Sequence, residues 1–210
     1  MSIENHTCIW SFITDGLIAI GTLAVAILAI WGQWVRSKLA PPKLTIQAHN
    51  LRGIVTSFTD GARVIYYHLK VTNRRPWASA KNCRVLLHSI QRQGPNREFR
   101  PVPLSVPLQF VWSPAPFTPP LVTITRNEII DFGRLAENGV RFEPLLYWYP
   151  NNFQGYAKKD DIVRYCLEIV AEGYTSKRYQ VFEVAWNGKW TDNLDEMAQD
   201  LTIREITENA

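Results

Sequence analysis

Four histidines, three cysteines and one adjacent carboxylate pair are the residues with the chemistry for metal binding, nucleophilic attack or proton transfer. The histidines are His6, His49, His68 and His88. None forms H-x-H or H-x-x-x-H, the spacings that put two imidazoles on one face of a strand or a helix. Cys83 and His88 are five residues apart, an odd spacing that turns two side chains to opposite faces of a strand. Cys8, Cys83 and Cys166 contain no C-x-x-C pair, and an odd count is no disulfide framework, so free buried thiols in a reducing compartment are expected. Asp160-Asp161 lie in a polar stretch and read as solvated. There is no G-x-S-x-G, no Walker loop and no G-x-G-x-x-G. The expectation is a protein with no catalytic residue, no metal and no cofactor, and therefore not an enzyme. Against it stands an enzyme of unrecognised type built around His68 or His88.

Two clusters mix cations with aromatic rings: Arg74 and Arg75 with Trp77, and Arg92, Arg97 and Arg100 with Phe99. Such clusters suit solvent, anionic lipid or single-stranded nucleic acid. No nucleic-acid-binding motif accompanies them, which makes nucleic acid the weakest of the three. The charge is divided along the chain. Residues 36–191 hold 22 basic and 11 acidic side chains, whereas residues 192–210 hold six acids and one base. A basic body is drawn to an anionic leaflet by up to about 1 kcal/mol per Lys or Arg close to the surface. The acidic tail is expected to dock on that body or on a partner.

The element that must position everything else is residues 16–35, GLIAIGTLAVAILAIWGQWV, which carry no charge. As a helix they span about 30 Å, the thickness of a bilayer's hydrocarbon core. No Lys or Arg precedes Arg36, and RSKLAPP after the run is a poor cleavage site, so an uncleaved signal-anchor is predicted rather than a signal peptide. Arg36, Lys38 and Lys43 follow the span while Glu4 and Asp15 precede it, which predicts a single-pass topology with the N-terminus outside and the C-terminal domain cytoplasmic. Trp10, Trp31, Trp34, Arg36 and Lys38 are the expected membrane-interface residues. Asp15, Ala19, Thr22, Ala26, Ala29 and Gln33 recur at spacings of 4, 3, 4, 3 and 4. That stripe of small and polar residues is a candidate packing surface for a second copy or another membrane helix, with a lone anchor as the alternative.

The remaining chain is predicted to be mainly β. Pro41-Pro42 ends the helix. Residues 43–49 and 54–58 read as strands, and residues 63–72 as the strongest one, with Ile65, Tyr67, Leu69 and Val71 on one face. Residues 83–91, 108–112, 121–125, 128–132 and 141–149 follow, and residues 162–171 and 177–186 read as a hairpin. Asn187-Gly188 signals a type I′ turn. Seven of the 13 prolines lie between Pro101 and Pro120, a loop crossing one end of the fold or a polyproline II ligand. Leu194, Met197, Ala198 and Leu201 form one helical face, capped by Asn193 with Glu196, and residues 202–206 read as a last strand.

Residues 69–87, LKVTNRRPWASAKNCRVLL, resemble the strand–Asn–loop–Ala–strand signature of bacterial immunoglobulin-like β-sandwich modules. The resemblance implies that Asn73 closes the loop at the strand end and that Ala80 enters the core. The family usually has Gly soon after the Asn, where this chain has Arg74-Arg75-Pro76-Trp77, so the loop differs. In immunoglobulin domains two core cysteines on facing sheets pair across a Trp. Cys83 and Cys166 with Trp112 between them would fit that scheme only in an oxidising compartment.

Together these readings predict residues 1–15 as a short extracytoplasmic N-terminus, 16–35 as a transmembrane helix and 36–43 as a basic, proline-containing linker. Residues 44–210 are predicted to form an immunoglobulin-like antiparallel β-sandwich with a short amphipathic helix in the acidic tail 192–210. The function expected is non-enzymatic: a membrane-anchored module that presents a cytoplasmic sandwich to a partner protein. Arg74, Arg75, Trp77 and Phe117 form the candidate partner surface, with the lipid bilayer and another membrane helix as further partners. The alternative is an oligomerising membrane effector whose helices assemble on a signal sensed by the soluble domain.

Overall fold

No proline interrupts residues 4–39, and Leu, Ile and Ala are frequent there, so the backbone is free to run as one helix. The computed structural model describes residues 4–39, 41–115 and 117–206; within the helix, side chains are described from residue 14 to residue 32. The chain divides into two units, Met1–Pro41 and Pro42–Ala210. The first holds α1 (Glu4–Leu39), whose 36 residues make a rod of about 54 Å. It runs past both ends of the predicted span and takes in residues 36–39 of the predicted linker. The apolar stretch Thr14–Gly32 is long enough to cross a bilayer by length and composition, and none of it is buried.

The second unit is built from β1 (Leu44–Ser57), β2 (Arg63–Asn73), β3 (Ala80–Gln93), β4 (Phe99–Val102), β5 (Leu108–Gln109), β6 (Val111–Trp112) and β7 (Val122–Ile124). There follow β8 (Asn127–Ala136), β9 (Arg141–Pro144), β10 (Ala157–Lys158), β11 (Ile162–Ala171), β12 (Tyr174–Thr175), β13 (Gln180–Trp186), α2 (Leu194–Asp200) and β14 (Leu201–Ile206). One antiparallel sheet runs β1-β2-β8-β9-β10 with β6 beside β8; the other runs β14-β13-β11-β3-β4 with β12, β5 and β7 attached. Their inner faces share one core. Phe132 of the first sheet stands edge-on to Tyr165 of the second, with ring centroids 5.7 Å apart, and 5.8 Å from Phe182. Such pairs add to the burial of their own area. Gly133 on β8 lets Phe142 of β9 lie on the backbone: a Cβ there would stand 2.2 Å from Phe142 Cζ.

Two links join the sheets at their sides. On one, the Gln180 amide forms two bonds to the backbone of β1, accepting from Ile46 N and donating to Ile46 O, each 2.6 Å. On the other, residues 108–124 cross from β3 to β8 and back, because β5 and β7 pair with β3 while β6 pairs with β8. That crossing is the proline-rich run. Buried Trp112 fastens it by donating from Nε1 to Pro120 O, 3.1 Å.

Several expectations change in detail. Residues 43–49 and 54–58 are one bulged strand, not two. Asn50 Nδ2 donates to Gly53 O, 3.1 Å, and Gly53 at φ +81 lets the chain kink while keeping its pairing with β2. Residues 141–149 are strand only to Pro144; beyond it, Leu146 meets Phe110 in an isolated bridge. Asn187-Gly188 makes no type I′ turn, since only Gly188 has positive φ. The chain leaves it for α2, capped as expected: Asn193 Oδ1 accepts from Asp195 N, 3.1 Å, and Nδ2 donates to Glu196 Oε1, 2.8 Å.

Arg63 at the start of β2 gathers the acidic tail and the β8–β9 turn. It donates to Glu137 Oε1 at 2.9 Å, pairs with Asp192, and lies 5.0 Å over the Trp190 ring. The Arg63 hydrogen bonds hold the Glu137 carboxyl below the usual carboxylate range. A depressed carboxyl contributes stability above its unfolded value, about 4.3, and loses it as pH falls through the folded value. The melting temperatures of the wild type and Arg63→Gln are therefore expected to differ most above about pH 5 and to converge below about pH 4. A pH-independent gap in thermal melts would contradict this.

Candidate interaction surface

In an antiparallel pair of sheets, alternate turns lie at the same end. The start of β1, the β2–β3 loop, the loop leaving β6, the start of β8 and the turn after β11 therefore share one end, here the proximal end, where the chain arrives from α1. The β1–β2 turn, the start of β11 and α2 lie at the other, distal end. The proximal loops are tied together by Asn73. Its side chain is buried, and its Oδ1 accepts from Lys43 N at 3.3 Å and Arg75 N at 3.0 Å. Its Nδ2 donates to Ala78 O at 2.8 Å and Ile124 O at 3.4 Å. The backbone adds Asn73 N to Arg126 O, 2.7 Å, and Arg74 N to Lys43 O, 2.8 Å. One amide thus joins the start of the unit, the 73–80 loop and β7. Ala80, fully enclosed, begins β3 just after it.

This bonding leaves side chains of the loop pointing outward. Arg74 is exposed, Arg75 is half-buried, and Trp77 is 70% exposed. Phe117, in the crossing loop after β6, is 85% exposed. The four residues of the predicted partner surface thus share one end of the unit. Lys43, Lys81, Arg126, Lys177 and Arg178 are exposed at the same end. The sequence reading did not group these five. Strand direction groups Lys43, Lys81 and Arg126 at that end, and Lys177 and Arg178 follow the β11–β12 turn, where the chain bulges between β12 and β13.

The other predicted cluster is divided: Arg97 and Arg100 are exposed, whereas Arg92 and Phe99 are engaged within the unit. Arg92 donates to Gln154 O and Tyr156 O, both 2.8 Å, and pairs with Asp161 at 3.4 Å. Phe99 is covered by the Arg164 guanidinium, 3.5 Å from its ring centroid. These groups hold loops to the sheet.

On α1, Asp15, Ala19, Thr22, Ala26, Ala29 and Trp31 are all exposed. Thr22 Oγ1 donates to Ile18 O of its own helix, 2.8 Å. The side chains of Trp10, Gln33, Trp34, Arg36 and Lys38 lie outside the described residues.

His68 and Asp131 face each other on β2 and β8, Nε2 to Oδ1 3.1 Å, both nearly enclosed. A His–carboxylate pair orients a base, but needs a nucleophile or substrate within reach to act. Two surface hollows lie away from it: one, about 250 Å³, is lined by Asp160, Asp161 and Asp200, the other, about 330 Å³, by Arg92 and Arg100. Among the described residues no group of three His, Cys, Asp or Glu side chains is placed to hold a metal ion. Cys83 and Cys166 are buried and joined in no disulfide, and burial pushes the Cys83 thiol up to about 12. They lie on β3 and β11 of the same sheet, with Cys166 opposite Ser89, so the pairing across facing sheets seen in immunoglobulin domains is not built here.

No protein-family model matches the chain, and no curated protein is similar to it. Its surfaces are therefore read from their own chemistry.

Asn73→Ala removes four hydrogen bonds at a buried position and leaves their partners unpaired. The expected cost is about 2–3 kcal/mol, a fall in melting temperature of about 5–10 °C. A change under about 0.5 kcal/mol in chemical denaturation would show that the loops hold their places without it.

Proposed function

We propose that this chain is a single-pass, membrane-anchored, non-enzymatic interaction protein. In this reading α1 crosses the bilayer with its N-terminus outside, and an immunoglobulin-like β-sandwich stands on the cytoplasmic side to engage a partner protein.

One observation carries the reading. A helix with a fully exposed 19-residue apolar stretch belongs to a chain whose other unit has its own core. Leaving Leu17, Ile20, Leu23, Val25 and Ile30 in water forgoes about 1.5–3 kcal/mol for each. A hydrocarbon layer removes that cost and needs no partner protein to do so. Orientation follows from Arg36, Lys38 and Lys43 after the stretch and Glu4 and Asp15 before it. Buried Cys83 and Cys166, joined in no disulfide, agree with a reducing side of the membrane.

The immunoglobulin-like part of the reading is supported by two antiparallel sheets around one core, by Asn73 at the loop and by Ala80 inside it. It departs from antibody-type domains in its cysteines. The interaction role follows from what the surface offers: exposed aromatic and basic groups at one end, and acid-rich turns at the other.

Alkaline carbonate extraction and protease protection of the full-length chain, tagged at each terminus, test the reading. The chain is expected in the membrane pellet, with the C-terminal tag cleaved only from the cytoplasmic side. Release by carbonate, or loss of the N-terminal tag by processing after the apolar run, would overturn it.

A further inference from the structure

The exposed charges of the β-sheet unit are divided unevenly between its ends. Lys43, Arg74, Lys81, Arg126, Lys177 and Arg178 stand exposed at the proximal end. The carboxylates there, among the described residues, are Glu128, Glu168, Glu172 and Glu205. Three distal bases are paired, Arg63 with Glu137 and Asp192, Arg52 with Asp195 and Arg92 with Asp161, while Arg97, Arg100, Lys158, Lys159 and Lys189 stand exposed there among Glu98, Asp160, Glu196 and Asp200. The acids of the tail lie mostly at the distal end, among the bases there, whereas the proximal end carries more exposed bases than carboxylates. The two most exposed aromatic side chains of the unit, Trp77 at 70% and Phe117 at 85%, also stand on proximal loops.

We propose that the proximal end docks on the anionic headgroups of the bilayer that holds α1. The proposal rests on the membrane-anchored reading above and gives it a second contact. Charge complementarity selects the occupant: lipid phosphates and carboxylates are a sheet of negative charge, and bases within a Debye length of about 8 Å are drawn to it. Trp and Phe beside the bases suit the boundary between headgroups and acyl chains, where aromatic rings partition. Connectivity favours the same occupant. Lys43, which opens the unit, is bonded through its N–H and C=O to Asn73 and Arg74 of the 73–80 loop. Residues 40–43, between α1 and β1, reach at most about 17 Å even fully extended. A span that ends among headgroups therefore delivers the chain to the basic, aromatic end first. Arg74, Arg75, Trp77 and Phe117 are thereby assigned to lipid, and a protein partner is left the distal end and the outer sheet faces.

The test is hydrogen exchange on the full-length chain in lipid nanodiscs, neutral phosphatidylcholine against the same lipid with phosphatidylserine. Amides of residues 74, 75, 77–79, 117, 118 and 121 are expected to exchange at least about fivefold more slowly in the anionic discs. Amides of the distal β1–β2 turn should be unchanged. The protection should vanish in about 0.5 M salt and in Arg126→Glu with Lys177→Glu, while β2 core amides stay protected. Salt alone decides the matter if that variant does not fold. Equal exchange of both loops in the two lipids, with the chain in the discs, overturns the docking and leaves the anchor standing. So does protection that appears only when a cytoplasmic protein extract is added, which assigns the surface to a protein. Failure of the chain to enter discs at all overturns the anchored reading and the docking with it.

Discussion

The buried amide of Asn73 is where the separate parts of the proximal end meet. Its oxygen takes the N–H groups of Lys43 and Arg75, and its nitrogen serves the carbonyls of Ala78 and Ile124. Without it, backbone groups from the start of the unit, the 73–80 loop and β7 would lose their side-chain partner, at a cost of about 0.5–1.5 kcal/mol each. A loop held by its backbone from within has its side chains free to face outward. Trp77 is exposed for that reason and not through slackness in the fold.

The two ends differ in part because Asp192 and the acids of α2 lie at one of them. Asp192 and Asp195 reach Arg63 and Arg52, and α2 follows in the same connection before β14 returns along β13. The chain's excess of basic groups is therefore not spread evenly over the unit. It is concentrated where the chain arrives from α1. On the proposed reading that asymmetry has a use, since a tether fixes position while a basic, aromatic end fixes orientation.

Much of this was legible in the residue order. Ile65, Tyr67, Leu69 and Val71 alternate without a break, and β2 is found almost where that alternation puts it. Asn193, Glu196 and Met197 announce α2, and Met197 is its buried residue. Other features were hidden for physical reasons. Asn50 and Gly53 look like a loop because a bulge uses the residues that turns use. Leu145 to Tyr149 look like strand because aromatic and apolar residues favour strands, yet their hydrogen bonds go to the 109–111 segment and not to a long ladder. The surface was half legible. Arg74, Arg75 and Trp77 are adjacent in sequence, but Arg126, Lys177 and Arg178 join them only once every strand has a direction.

The central claim is that the proximal loops lie at a membrane surface. Spin-label accessibility tests it most directly, in a Cys8→Ser background where buried Cys83 and Cys166 are shielded from labelling. Labels at Phe117→Cys and, distally, Lys189→Cys are compared in anionic bilayers. The account predicts that the label at position 117 is more accessible to oxygen and less accessible to a water-soluble nickel complex than the label at 189. Equal, water-like accessibility at both positions would contradict it.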